Sequence, residues 1–435
     1  MVRNRRSLAV LTAATLVGGG GFWLAGLPGG QPASATSNAP TSAAEARQAT
    51  RAAATPAVPF GSHSFSYTDG ALKPSGNQQD NDAKVVAFYK KWKANFIKQN
   101  CGNGWYQVYS PDADHDYVGE AQGYGMVITA TMAGADADAQ KIFDGILKYV
   151  LAHPSSINKD LHAAEQDESC KSVNGTDSAT DGDLDIAYGL LLADRQWGSS
   201  GTYDYKALAV KRINAIKKSE VHSGTKLTKL GDWSSGSDDK LSRTSDWMPG
   251  HFKAFKKATG DGTWDAVRTK TQQVTADLQS KYAAKTGLLP DFVENTTSSP
   301  RPANGEVLED PHDGDYHWNA CRDPWRLGTD AAQTGDSASK KAAVKLSNWA
   351  EQKSGGNPSK LVNGYRLNGS AYGSGNDAAF FAPFAVAAMN DSDGQQWLDA
   401  LWKKMVATAP GSGDYFSASI QLQSMLVVTH NFWTP

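Results

Sequence analysis

The sequence predicts an all-α protein built as a toroid of six helical hairpins, an (α/α)6 barrel, and three observations carry that expectation. About twelve helix-like segments alternate with polar loops from residue 82 onward, while strand-like alternation is scarce. Small-residue turns, at 133–136, 197–203, 259–264, 334–336 and 391–397, recur roughly every 55 to 75 residues, the length of two helices with their loops. Helices before these turns are rich in Ala, Gly and aromatics, whereas those after them are amphipathic with many Lys and Gln, which suits an inner and an outer ring.

Taken in order, the chain opens with Arg3, Arg5 and Arg6, an apolar run from Leu8 to Leu27 and the small-residue stretch Ala33-Ser-Ala35. These are the three regions of a secretory signal, so residues 1–35 are expected to be a signal peptide and the protein to be secreted. The run is broken by Gly18–Gly21 and short for a span, which argues against a lasting membrane anchor. Residues 36–59, rich in Ala, Ser, Thr and Pro, carry too little apolar surface to order themselves and read as a disordered linker. One domain, 60–435, follows, and a monomer is expected.

With 435 residues and a net charge of −2, the chain has length for a sizeable core and no basic surplus to attract nucleic acid. Three cysteines allow one internal bridge. Cys101 with Cys170 is the expected pair, because Cys321 is flanked by residues that look like site chemistry. Zinc-type Cys/His spacings are absent, and no cofactor is expected.

Helices are expected to begin near Asp82, Gly119, Asp138, Asp181, Tyr205, Thr244, Thr263, Trp318, Ser337, Asp377, Gln395 and Asp414. The long loops 100–118, 158–180, 222–243, 286–316 and 357–376 each precede an inner-type helix, so on a toroid they gather at one face. Most carry Asp, Glu, Trp or Tyr, and the chain has 13 Trp and 15 Tyr. Aromatics beside acids suit sugar rings, whose apolar faces stack while their hydroxyls hydrogen-bond.

Five stretches concentrate this chemistry. Ala179-Thr-Asp-Gly-Asp-Leu-Asp185 puts Asp181, Asp183 and Asp185 ahead of a strongly apolar helix, with Thr180 or Asp181 as its expected cap. Glu120 opens a helix containing Tyr124 and two glycines, Gly123 and Gly125, which each weaken a helix by roughly 1 kcal/mol and point to close approach of a ligand or another backbone. A glutamate on such a crowded floor has its pKa raised by desolvation, as a general acid needs. Asp232 with Trp233, and Asp246 with Trp247, pair an acid with a stacking ring. The loop 300–315 offers Glu306, Glu309, Asp310, Asp313 and Asp315 before Tyr316, Asn319 and Arg322. His312 and His317 lie among them, but such loop clusters are usually not ligands and no metal is expected.

Glu-Ala-Gln-Gly-Tyr-Gly-Met at 120–126, Ala-Thr-Asp-Gly-Asp-Leu-Asp-Ile-Ala at 179–187, Gly-Asp-Trp at 231–233, Ser-Asp-Trp-Met at 245–248 and Trp-Asn-Ala-Cys-Arg at 318–322 together resemble the family 8 glycoside hydrolases. The resemblance runs in order through the mature domain, and the stretch 179–197 departs from the family's signature where Gly189 replaces the usual Ser or Ala. It implies an inverting endo-β-1,4-glycanase on an (α/α)6 barrel. Glu120 is then the general acid, and Asp181 holds the sugar at the cleaved bond and organises the water. In the cellulase-type subfamily the base is an Asp at the position of Asn319. The Asn implies the second subfamily, whose base is a Glu of the preceding loop, here Glu309 with Glu306 as the fallback. Asp183, Asp232, Trp233, Asp246, Trp247, Tyr124, Tyr316, Asn319 and Arg322 are the expected substrate contacts. The polysaccharide is the expected partner. Acidic loops favour cationic chitosan as substrate, with β-glucan, cut by a cellulase or lichenase, as the alternative. A non-catalytic carbohydrate-binding protein is disfavoured because both acids are present.

Overall fold

Six helices line the inside of a closed ring: α2 (Gly119–Thr131), α4 (Thr180–Trp197), α6 (Pro249–Thr259), α8 (Asp323–Thr334), α10 (Ala378–Ala388) and α12 (Tyr415–Val428). Each packs on the next, and α12 returns to α2. The outer ring consists of α1 (Gln78–Phe96), α3 (Ala139–Ala152), α5 (Tyr205–Ser219), α7 (Thr263–Lys281), α9 (Ser337–Ser354) and α11 (Gln395–Ala407). The first outer helix, α1, packs on the last inner one, α12, and closes the (α/α)6 barrel. The structure is a computed structural model that describes residues 55–113 and 115–435, so the expected signal peptide and most of the linker lie outside the described residues.

The two rings differ in chemistry as the sequence predicts. Every residue of α10 and α12 is buried, and α10 is accordingly apolar all round, while α12 is apolar or small except for Tyr415, Gln421 and Gln423. Outer α7 buries Trp264, Val267, Thr271, Val274 and Leu278 along one stripe at helical spacing, and leaves Gln273 and Lys281 exposed. Outer helices α1, α5 and α9 are capped by the side chains of Asn77, Asp204 and Asp336. Inner helices α2, α4, α6, α8 and α10 have no such cap.

Four boundaries differ from expectation. Helices α6 and α8 start later than Thr244 and Trp318, because single 3-10 turns at 244–246 and 320–322 precede Pro249 and Pro324, which sit in the first turn. The α4 cap is Ala179 rather than Thr180 or Asp181. Thr180 instead donates to the Lys229 carbonyl at 2.8 Å, which leaves the Asp181 carboxylate for the cleft. The end of the linker is not free either: Val58 is buried, and its N–H donates to the Gln196 side chain at 2.7 Å, so the domain begins before residue 60.

Glycines set the contact between α2 and α4. A Cβ at Gly182 would lie 2.7 Å from the Gly119 carbonyl carbon, and one at Gly123 would lie 2.8 Å from the Asp185 Cβ. It is a neighbouring backbone, not a ligand, that requires Gly123, whereas Gly125 makes room for the Val108 side chain. The close crossing brings Glu120 and Asp181 side by side at the inner-helix N-termini. The expected Cys101–Cys170 disulfide joins the loops ahead of these two helices.

The loops carry short strands. These are β1 (Ile97–Lys98) with β2 (Gln107–Val108), β3 (Tyr117–Val118) with β4 (Glu165–Gln166), and a three-stranded antiparallel sheet of β5 (Ser242–Arg243), β6 (Phe292–Glu294) and β7 (Arg301–Pro302). Leu230, Phe292 and Ala303 form a small core here, with Trp233, Val307 and Leu308 packed on it beneath the loop that leads to Glu309.

Candidate active site

Arg322 is the hub of the floor. From the turn before α8 its Nη1 donates to Glu120 at 2.6 Å and to Asp181 at 3.1 Å, while Nη2 donates to Ser245 at 2.9 Å and to the Asn319 side-chain oxygen at 2.7 Å. The guanidinium is almost wholly buried, so it is held in place by these partners and acts where water screens little. The Tyr415 hydroxyl, at the start of α12, donates to the other oxygen of Glu120. Arg243, from β5, donates to Asp181 at 3.1 Å.

Electrostatics separate the acids. Burial pushes the Glu120 carboxyl up to about 7, against the pull of Arg322, with the Asp181 charge helping to raise it. Burial would also raise Asp181, but Arg243 and Arg322 outweigh it and hold Asp181 below its ordinary value, so it stays ionised. One carboxyl able to carry a proton thus sits beside one that keeps its charge.

Glu309 is connected to this floor through Asn319, whose amide donates to Glu309 at 2.7 Å and whose oxygen receives Arg322. Asn319 is itself fixed by Asp291, which accepts from the backbone N–H groups of His317, Asn319 and Ala320 at 2.9, 2.9 and 2.7 Å. Burial of its carboxyl pushes Glu309 up to about 8, and Arg243 opposes that rise. The loop is held by Asp313, whose carboxylate accepts the N–H groups of Val307, Leu308, Glu309 and Asp310 at 2.8, 2.8, 3.1 and 3.1 Å. Glu306, by contrast, is exposed.

Below the floor, Asp185 accepts from Arg326 at 2.5 Å and pairs with His251 at 2.8 Å, tying α4 to α8 and α6. Tyr124 is buried with its hydroxyl 3.4 Å from Arg322, so it supports that side chain from beneath. Asp246 is fully buried next to Arg243, 4.0 Å away, and burial pushes it up to about 7.

Several expected substrate contacts are placed elsewhere. Asp183 faces away from the cleft: it is buried against Arg212 of outer helix α5 and accepts the His162 N–H at 3.1 Å. Asp232 clasps loops, accepting from Ser155, Asn158 and Ser178 at 2.6, 3.1 and 3.0 Å. Trp247 is a core residue whose indole donates to Ser242 at 2.9 Å, and Tyr316 is wholly buried, edge-on to Phe380. Trp233 packs on the small core under the Glu309 loop. His312 and His317 pair with Asp315 and Asp310 at 2.9 and 3.1 Å. The sequence reading missed Arg243, Tyr415 and Asp291, and it offered Asp313 as a loop acid without its part in holding the loop. Tyr415 carried a usable signal, a polar aromatic at the start of an inner-type helix, as Glu120 and Asp181 are acids at such starts.

The family model described as glycosyl hydrolases family 8 matches residues 77–430. The chain is similar to a beta-glucanase of Niallia circulans, 45% identical over 384 residues that cover 88% of this chain and 92% of that protein. An endoglucanase of Bacillus sp. (strain KSM-330) is 39% identical, with 84% and 80% covered. Among solved structures, the apo beta-1,3-1,4-glucanase of Paenibacillus sp. X4 superposes with a TM-score of 0.84 at 44% identity, covering 87% of this chain and 100% of that one. A family match that spans the barrel from its first outer helix to the end of its last inner one, with relatives alike over nearly their whole length, places this chain in glycosyl hydrolases family 8.

Proposed function

We propose that the protein is a secreted, inverting endo-β-glucanase that cuts β-1,4 bonds of mixed-linkage or β-1,4-glucan. The observation that carries the reading is the continuous link from Glu120 through Arg322 and Asn319 to Glu309, two protonatable carboxyls fixed on either side of one guanidinium and one amide. Inversion needs such a pair, held far enough apart, roughly 6.5–9.5 Å, to admit a water between base and sugar.

Glu120 donates its proton to the glycosidic oxygen as the bond to the anomeric carbon breaks. Glu309 takes a proton from a water that attacks that carbon from the opposite face, so the new hydroxyl has inverted configuration. Asp181, kept ionised by its two arginines, accepts hydrogen bonds from the sugar and stabilises the positive charge that develops on it. Glu120 ends as a carboxylate and Glu309 as an acid, and exchange with water restores both.

The choice of polymer rests on the relatives. Chitosan was the first expectation from the acidic loops and β-glucan the second. Names such as beta-glucanase and beta-1,3-1,4-glucanase at 44–45% identity favour the second. Export rests on the charged, apolar and small-residue pattern of residues 1–35.

The test measures reducing ends released from lichenan, carboxymethylcellulose, chitosan and xylan by the wild type and by Glu120→Gln, Glu309→Gln and Glu306→Gln. The expected result is highest activity on lichenan, lost in the first two variants and retained in the third. Near wild-type activity in Glu120→Gln would reject the mechanism, and highest activity on chitosan would reject the polymer. Export is checked by the N-terminal sequence of the protein recovered from the medium.

A further inference from the structure

A cavity of 480 Å³ is lined by Lys98, Asn100, Tyr109, Asp116, Tyr117 and Glu168, with Ser169 at its edge. Its volume falls within the span of small-ligand sites, roughly 300–1,000 Å³. None of these side chains has a part in the hydrolysis described above. The Tyr109 ring is half-buried, with the Lys98 ammonium 5.9 Å from its centroid. Behind it, the buried Tyr117 hydroxyl donates to Asn100 at 2.9 Å. An aromatic face set among an amide, two carboxylates and an ammonium is the combination that holds a pyranose, apolar on its face and hydroxylated at its edge.

Two further features connect this cavity to the cleft. Tyr117 lies in β3, which runs directly into Glu120 three residues later, a span of at most about 11 Å. One wall of the cavity is therefore carried on the segment that leads into Glu120. The opposite walls are also tied covalently: Asn100 precedes Cys101 and Glu168 lies two residues before Cys170, and these cysteines form the disulfide. The bridge fixes the spacing between two walls that belong to separate loops.

We propose that this disulfide-braced cavity is a distal subsite that grips a sugar of the β-glucan chain away from the bond being cut. It rests on the glucanase reading above and adds a place where chain length is sensed. Tyr109 supplies the platform, and Asn100, Asp116 and Glu168 take the hydroxyls.

The test uses affinity electrophoresis through native gels containing lichenan, with the full chain carrying Glu120→Gln so that the polymer is not consumed. Adding Tyr109→Ala is expected to weaken retardation, raising the apparent Kd at least about five-fold, whereas Tyr109→Phe keeps most of it. Reducing the Cys101–Cys170 bridge is expected to weaken it as well. In the active enzyme, Tyr109→Ala is expected to lower the ratio of kcat/KM on lichenan to that on a short glucan oligosaccharide. Retardation of Tyr109→Ala equal to its parent overturns the subsite. Should that variant fail to melt cooperatively, Asp116→Asn and Glu168→Gln are read in the same gel, and unchanged retardation in both overturns the proposal. The two readings fail separately. Normal lichenan cleavage with unchanged retardation removes the subsite alone, while retardation lost in Tyr109→Ala without any cleavage by the wild type supports the subsite and removes the activity.

Discussion

One nitrogen of Arg322 donates to both Glu120 and Asp181, at 2.6 and 3.1 Å, so a single buried cation acts on both acids of the floor. Arg322→Gln removes an interaction that lowers the Glu120 pKa, and that pKa then rises above about 7. The alkaline limb of the pH–activity curve is expected to move upward. kcat is expected to fall about 100- to 1,000-fold, as when a preorganised charge-stabilising donor is lost. Tyr415→Phe removes a second lowering contact and is expected to move the same limb in the same direction, with a smaller loss in kcat. Steady-state kinetics from pH 5 to 10 check both.

The wild-type profile follows from the two carboxyls. The proposed mechanism needs Glu120 protonated, a form lost as pH rises through about 7, and Glu309 ionised, a form lost as pH falls through about 8. Because the acid titrates below the base, the curve for kcat/KM is a narrow bell centred near pH 7.5, with only about a twentieth of the enzyme in the productive form at its top. Glu309→Gln is expected to abolish the rising limb together with most of the activity. A broad plateau from pH 5 to 7 in the wild type would show that these two carboxyls do not set the profile.

Much of this fold was legible because inner and outer helices face different surroundings and their compositions diverge accordingly, as α10 and α7 show. The acids at the helix starts were legible as candidates, but their directions were not fully used. Successive helical residues turn by about 100°, so Asp181 and Asp183 point to nearly opposite sides, and Asp185 returns beneath Asp181. Asp183 accordingly meets Arg212 on the outer ring and Asp185 meets Arg326 inside. Trp247 and Tyr316 looked like sugar platforms because composition alone does not tell a ring in the core from one in the cleft. Arg243 and Tyr415 lie 62 residues after Asp181 and 295 after Glu120, and only closure of the ring brings them to the same floor.

Asp313 tests how far activity depends on the loop that carries Glu309, whose carboxyl its charge also helps to raise. Its carboxylate gathers four consecutive N–H groups and touches none of the acids on the floor. Asp313→Ala leaves those donors without their acceptor and loosens the loop, at a cost of about 1–3 kcal/mol. The expected outcome is a kcat reduced about 10- to 100-fold through misplacement of the base, with a smaller change in KM. A kcat within two-fold of wild type, together with an unchanged thermal midpoint, would mean that the small core of Phe292, Trp233 and Leu308 suffices to hold the loop.

Gly182 tests the crossing that brings Glu120 to Asp181. A methyl group there has no flexible side chain to displace, since its neighbours at 2.7 and 2.9 Å are the Gly119 carbonyl carbon and the Glu120 nitrogen. Gly182→Ala must push the start of α2 away from α4, and overpacking of this kind costs about 1–3 kcal/mol. Alanine favours a helix over glycine by roughly 1 kcal/mol, which offsets only part of that penalty. The thermal midpoint is therefore expected to fall by a few degrees. Activity should fall further than stability alone accounts for, because the displaced backbone is that of the proposed proton donor and its contacts with Arg322 and Tyr415 are stretched. Gly189→Ala, in the same helix but meeting mainly the Met126 side chain at 2.9 Å, is the control. It is expected to lower the midpoint by a comparable amount while leaving kcat near wild type, so equal losses of kcat in the two variants would show that the crossing does not position the acid.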